Sequence, residues 1–116
     1  MKMLLLVLLI LPLFASAAAE QKVHNVGEQI KIVADVTNSQ DKFQPFVYIV
    51  QVQDASKAVV SLAWLTGSLS PNQQLSPALS WMPTEAGTYT ATVFVWESLQ
   101  NPEAISPPLS IDILVE

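Results

Sequence analysis

SWMPTEAGTYTATVFVWES, residues 80–98, holds two of the chain's three tryptophans and one of its two tyrosines. From Thr88 onward it alternates: Tyr89, Ala91, Val93 and Val95 fall on one face, Thr90, Thr92, Phe94 and Trp96 on the other. A period of two over nine residues is the signature of a strand, and Pro83 with Gly87 marks a corner just before it. Gly87 allows a sharp, positive-φ turn into that strand. Tyr89 can bury its ring while its hydroxyl caps a backbone group across the corner.

The same period recurs on both sides of this stretch. Residues 21–26 read as an edge strand stopped by Gly27, and 28–36 alternates with Ile30, Ile32, Ala34 and Val36 on one face. TNSQDK (37–42) is a polar turn. Strands follow at 46–53, 58–66, 75–81, 88–96 and 109–115, with 97–107 as a longer exposed connection. Proline at Pro45, Pro71, Pro77, Pro107 and Pro108 suits edges and strand starts. Past the N-terminus nothing keeps a helical period, so the spacing predicts an all-β, seven-stranded antiparallel sandwich.

Glu85-Ala86-Gly87-Thr88-Tyr89-Thr90-Ala91 resembles the Asp-x-Ala/Gly-x-Tyr-x-Cys corner of immunoglobulin-like sandwiches, with Ala91 standing where the cysteine would be. Trp81-x-Pro83 followed by Ala86 to Val93 is similar to the penultimate strands of immunoglobulin-like domains, of fibronectin III or CARDB type, in prokaryotic and especially archaeal surface proteins. The resemblance implies a module for adhesion, spacing or assembly. It makes Trp81, Pro83, Gly87 and Tyr89 a structural corner. It also implies one sheet from 28–36 and 75–81, and a second from 46–53, 58–66, 88–96 and 109–115.

That second sheet is apolar on both parities. Phe46, Tyr48, Val50 and Val52 are opposed by Val47 and Ile49, and Tyr89 to Val95 by Phe94 and Trp96. Val60, Leu62 and Trp64 are likewise opposed by Val59, Ala63 and Leu65. A two-layer sandwich buries one face of each sheet. The surplus is therefore either a partner surface, formed by Trp64, Phe94, Trp96, Val47 and Ile49, or a face covered by bulges and the 97–107 connection.

The chain opens MKMLLLVLLILPLFASAAAE: one lysine, an apolar run, then small residues, the order of a secretory signal peptide. Residues 1–19 read as a signal helix cleaved after Ala17 or Ala19, and 20–116 as one domain. The alternative is an uncleaved anchor, for which Met3–Ala19 sits at the short limit of the roughly 17–25 residues a spanning helix needs. Either way the chain is expected to be exported, to the cell envelope or beyond. Mean hydropathy of +0.40 is in part this segment's contribution.

Ten acids stand against five lysines, for a net charge of −5. Losing Lys2 leaves ten against four, a balance that disfavours nucleic acid and anionic lipid. There is no cysteine, which excludes thiol catalysis, zinc–thiolate sites and disulfides. His24 is the single histidine, read as an exposed strand-end residue, so a Ser-His-Asp set or a copper or zinc site has nothing to build on. Asp35 with Asp41, or Glu97 with Glu103, lacks the dense ligand spacing of a calcium loop.

The expectation is thus a non-enzymatic exported domain, without cofactor, that acts by protein–protein association with an envelope or cell-surface protein or with itself. Two alternatives remain: a carbohydrate-binding module stacking sugars on Trp64, Phe94 and Trp96, or a filament subunit donating the strand at 21–26.

Overall fold

In β3, Ile30–Asn38, the side chains of Ile30, Ile32, Ala34 and Val36 are all buried while Lys31, Val33, Asp35 and Thr37 face outward, as period-two alternation requires. The computed structural model describes residues 4–10, as backbone, and residues 23–116. β3 is the middle of one sheet. On one side it pairs antiparallel with β6 (Gln74–Leu75) and β7 (Ala78–Trp81), from Val36 opposite Leu75 to Ile30 opposite Trp81. Ser76-Pro77 divides into two pieces the strand expected at 75–81. Proline lacks the N–H that would continue the ladder.

The second sheet runs β2-β9-β8-β4-β5. Its strands are β2 (Val23–His24), β4 (Gln44–Gln53), β5 (Val59–Leu69), β8 (Gly87–Trp96) and β9 (Ala104–Val115). The assignment of strands to the two sheets is the expected one. β2 is the edge strand expected at 21–26, but it is two residues long and pairs parallel with β9, the exception to an otherwise antiparallel arrangement. Gly27, at φ +85°, then turns the chain toward β3. The connection expected over 97–107 is shorter: β9 starts at Ala104, opposite Trp96, and bulges beside Val95 bring Ile105 and Ser106 into the interior.

The all-β sandwich therefore holds, while the N-terminal helix expected ahead of it does not over residues 4–10. These form β1 (Leu4–Ile10), antiparallel to β3 from Leu4 opposite Asn38 to Ile10 opposite Ile32. An uninterrupted Leu/Val/Ile run satisfies a strand as well as a signal segment, and the free edge of β3 supplies the backbone partners. Ala17 and Ala19, the expected cleavage positions, lie outside the described residues.

Between the sheets lies one core of Ile30, Ile32, Ala34 and Val36 against Phe46, Tyr48, Val50, Val52, Tyr89, Ala91, Val93, Val95 and Ile113. Tyr48 donates its hydroxyl across the core to the Ile32 carbonyl at 3.2 Å, and burial pushes that hydroxyl's pKa up. Ala91, the residue in the cysteine position, is completely buried, so close packing stands where a disulfide would cross.

The corner is built as its residue types imply. Gly87 sits at φ +153°, and the buried Tyr89 donates its hydroxyl to the Glu85 carbonyl at 2.7 Å. Trp81 meets the Tyr89 ring edge to face, centroids 4.8 Å apart, and Pro83, also buried, accepts from the Gly27 amide. Replacing Tyr89 by Phe keeps the ring contacts and leaves the Glu85 carbonyl without this donor. The expected cost is about 1 kcal/mol, a fall of roughly 4–8 °C in Tm by calorimetry.

Candidate interaction face

On the outer face of the five-stranded sheet, antiparallel register fixes which side chains are neighbours. Trp64 of β5, Ile49 of β4 and Phe94 of β8 form one cross-strand row. Thr66, Val47, Trp96 and Ala104 form the next. The five residues expected on this surface are thus brought together, two rows deep across three strands. Side chains directly opposite in such rows lie roughly 4.5–5.5 Å apart at Cβ, close enough to pack as a unit.

They divide into a floor and a rim. Val47 and Ile49 are buried even though they point away from the core, so their neighbours roof them and they offer no contact surface themselves. Phe94 and Trp96 are half-buried, their ring centroids 5.8 Å apart and their planes tilted by 50°. Trp64 is 50% exposed. The centre of the face is thus covered locally, and Trp64, Phe94 and Trp96 stand partly exposed around it.

Polarity changes sharply along the same face. Toward the Gly87 end the rows on β4, β8 and β9 become Gln51 with Thr92 and Ser110, then Gln53 with Thr90 and Asp112, while their β5 members are still apolar, Leu62 and Val59. Thr92 and Ser110 hydrogen-bond at 3.0 Å and Thr90 and Asp112 at 3.3 Å, which holds this half as an ordinary solvated sheet surface. The apolar patch is therefore bounded on β4, β8 and β9 and continues along β5 through Leu62 and Val59. Phe43, 67% exposed where the chain leads into β4, was not singled out in the sequence because it falls in a turn without periodic context.

His24 is a correction. It is buried, only 3% exposed, and its Nδ1 lies 2.8 Å from a Glu28 carboxylate oxygen. The parallel pairing of β2 holds it against the end of β9, where its carbonyl accepts from the Glu116 amide. Asp35 accepts from the Ser76 hydroxyl at 2.6 Å, and Glu97 from the Asn101 side chain at 3.1 Å. Among the described residues no three His, Cys, Asp or Glu side chains gather as metal ligands would.

A second concavity lies beside the corner, an open cleft of about 550 Å³ lined by Val60, Trp81, Met82, Glu85 and Tyr89 together with the 54–56 turn. Sequence periodicity could not reveal it, because it forms where the β4–β5 turn approaches the corner from elsewhere in the chain. The acid and hydroxyl paired in its lining, Asp54 and Ser56 at 2.7 Å, belong to the turn itself, where the same Asp54 oxygen also accepts from the Ser56 and Ala58 amides.

No protein-family model and no curated protein matches the chain. Solved structures do. The CARDB domain of the PF1109 protein from Pyrococcus furiosus, in complex with di-metal ions, superposes with a TM-score of 0.64 at 17% identity. That match covers 99% of this chain and 89% of that one. The solution structure of the same domain gives 0.64 at 20% identity, over 99% and 97%. A β-glucosidase from Listeria innocua reaches 0.67 at 16% identity, over 98% of this chain but only 16% of the enzyme. At these identities the likeness is one of fold.

Proposed function

This chain has the immunoglobulin-like β-sandwich fold of those CARDB domains, and we propose that it is a non-enzymatic exported module working at the cell surface or envelope by protein–protein association. The contact is made by the outer face of the five-stranded sheet. One observation carries this reading: Trp64, half exposed, shares a cross-strand row with Ile49 and Phe94 and borders the row of Val47 and Trp96. A rim of three aromatics over a desolvated aliphatic floor is the build of an association hot spot. No charged residue lies in these two rows, so a partner loses no ion hydration on docking.

Two details weigh against the alternatives. A flat sugar face stacks best on coplanar rings, whereas Phe94 and Trp96 are tilted 50° to each other and suit interdigitating protein side chains. The segment expected to be donated in a filament is engaged within its own chain, Val23 opposite Leu114 and His24 opposite Val115.

The test is retention of the purified protein on the envelope fraction of its own cells. Trp96→Ser and Phe94→Ser are expected to weaken retention about tenfold, the scale of one hot-spot side chain, measured at a temperature where each variant, less stable for uncovering Val47 or Ile49, is still folded. Protease treatment of the envelope abolishes retention and glycosidase treatment leaves it. Equal retention of wild type and both variants would sink the proposal, and loss after deglycosylation alone would turn it toward glycan binding.

A further inference from the structure

Among the described residues β5 is the edge of the five-stranded sheet, hydrogen-bonded to β4 on one side only. An edge strand presents a row of unpaired N–H and C=O groups, and proteins ordinarily blunt it with lysine, proline, shortness or cover. The other edges, β1 (LLLVLLI) of the four-stranded sheet aside, show those devices. β2 is two residues long, and β9 beyond it carries Pro107 and Pro108; β6 has two residues and β7 four, flanked by Pro77 and Pro83. β5 shows none of them. Its eleven residues, VVSLAWLTGSL, contain neither a charge nor a proline. β4 and β8 are uncharged as well, but they lie inside the sheet.

The side chains make the same point. Val59, Val60, Leu62 and Trp64 are each between 46% and 55% exposed, four large apolar groups on one unpaired strand. A polar strand added here would leave them wet. A charged one would be desolvated without counter-charges, because β5 offers none. The occupant must itself be an uncharged, apolar edge strand; β5 of a second copy is such a strand and, unlike β1, lies in the same sheet as the aromatic face.

We infer that β5 is a self-association edge, pairing antiparallel with β5 of a second copy about a two-fold axis to make one continuous ten-stranded sheet. An axis perpendicular to the sheet keeps each face on its own side, so the two aromatic faces join into one surface. In the register centred on Ala63, Leu62 meets Trp64 of the partner subunit, Ser61 meets Leu65 of the partner subunit, and Val60 meets Thr66 of the partner subunit. No like charges oppose each other anywhere along the strand, although the chain as a whole carries −5. This deepens the proposed association through the same sheet by naming a partner, a second copy, and an edge.

The absence of cysteine makes the arrangement directly testable. The protein, purified with its native N-terminus, is expected by light scattering to have twice the mass of one chain. Leu62→Lys places two lysines beside the axis and weakens the dimer at least tenfold, with unfolding unchanged because the position is exposed. Under mild oxidation one of Leu62→Cys, Ala63→Cys and Trp64→Cys gives a covalent dimer, and Thr92→Cys, two strands away, does not. Trp96→Ser, also on β8, leaves the dimer intact, so failure of the edge and failure of the face are distinguishable. A monomeric wild type, a dimer indifferent to Leu62→Lys, or no β5 cross-link overturns the inference.

Discussion

Replacing Asn38 by Ala is expected to cost about 3 kcal/mol, within the roughly 2–4 kcal/mol that follows when several buried polar groups lose one partner. Asn38 ends β3 with its side chain fully buried. Its Nδ2 donates to the carbonyls of Lys42 at 2.8 Å, Ser70 at 3.0 Å and Leu69 at 3.2 Å, and its Oδ1 accepts from the Gln40 amide at 3.0 Å. One side chain thus ties the turn after β3 to the turn after β5. Gln40 extends the network to Gln44, and Gln44 to the Pro45 carbonyl. Alanine fills neither role and removes no carbonyl, so the orphaned groups stay buried. Chemical denaturation should show a lower midpoint at unchanged m, because the loss is native-state hydrogen bonding rather than altered compactness.

Asn38→Asp separates the donor's role from the side chain's shape. It keeps Oδ1 but turns a second carboxylate oxygen toward three carbonyls, so burial and the loss of donors raise the new acid's folded pKa above its unfolded value of about 3.9. A raised acid pKa means the folded state holds its proton to higher pH than the unfolded state. Stability of the variant should then fall as pH rises from about 4 through the folded pKa, and level off above it. Equal stability at pH 4.5 and pH 7 would show that the site is wet rather than sealed.

Residues in regular alternation were legible because one physical rule, burial on one side of a pleat, writes itself into the order of residues. Ile30, Ile32, Ala34 and Val36 could be assigned inward, and Tyr89 to a capped corner, without any tertiary information. Leu62 and Trp64 against Ala63 and Leu65 could be separated by parity but not oriented, since both sets are apolar and a bulge between Val52 and Gln53 shifts the register beside them. Asn38 and Gln40 read as a solvated turn because polar residues in TNSQDK look alike whether they meet water or backbone carbonyls. His24 was misjudged for the same reason: its burial depends on a two-residue parallel pairing with the far end of the chain. The interaction face lay between these cases. Its members were identifiable as surplus apolar residues, while its division into a Val47–Ile49 floor and an aromatic rim depends on side-chain size across three strands.

Gly67→Ala is expected to destabilise the fold by about 2 kcal/mol, the middle of the range for forcing volume into a packed core. Gly67 lies in β5 directly opposite Phe46 of β4, and the Phe46 ring crosses the space where a side chain would stand. A Cβ there would meet Phe46 Cζ at 2.9 Å and Cε1 at 3.0 Å, closer than carbon atoms approach. The ring cannot simply retreat, because Phe46 is itself buried in the core. Reduced freedom of the unfolded chain offsets only about 0.4–1 kcal/mol of the strain. A double-mutant cycle isolates the cause. Phe46→Leu alone opens a small cavity, and in its presence the added methyl group has room. The pair should therefore cost about 1 kcal/mol less than the sum of the single substitutions. Additive costs, or a Gly67→Ala variant as stable as wild type, would mean that glycine is set here by the backbone rather than by the ring across the ladder.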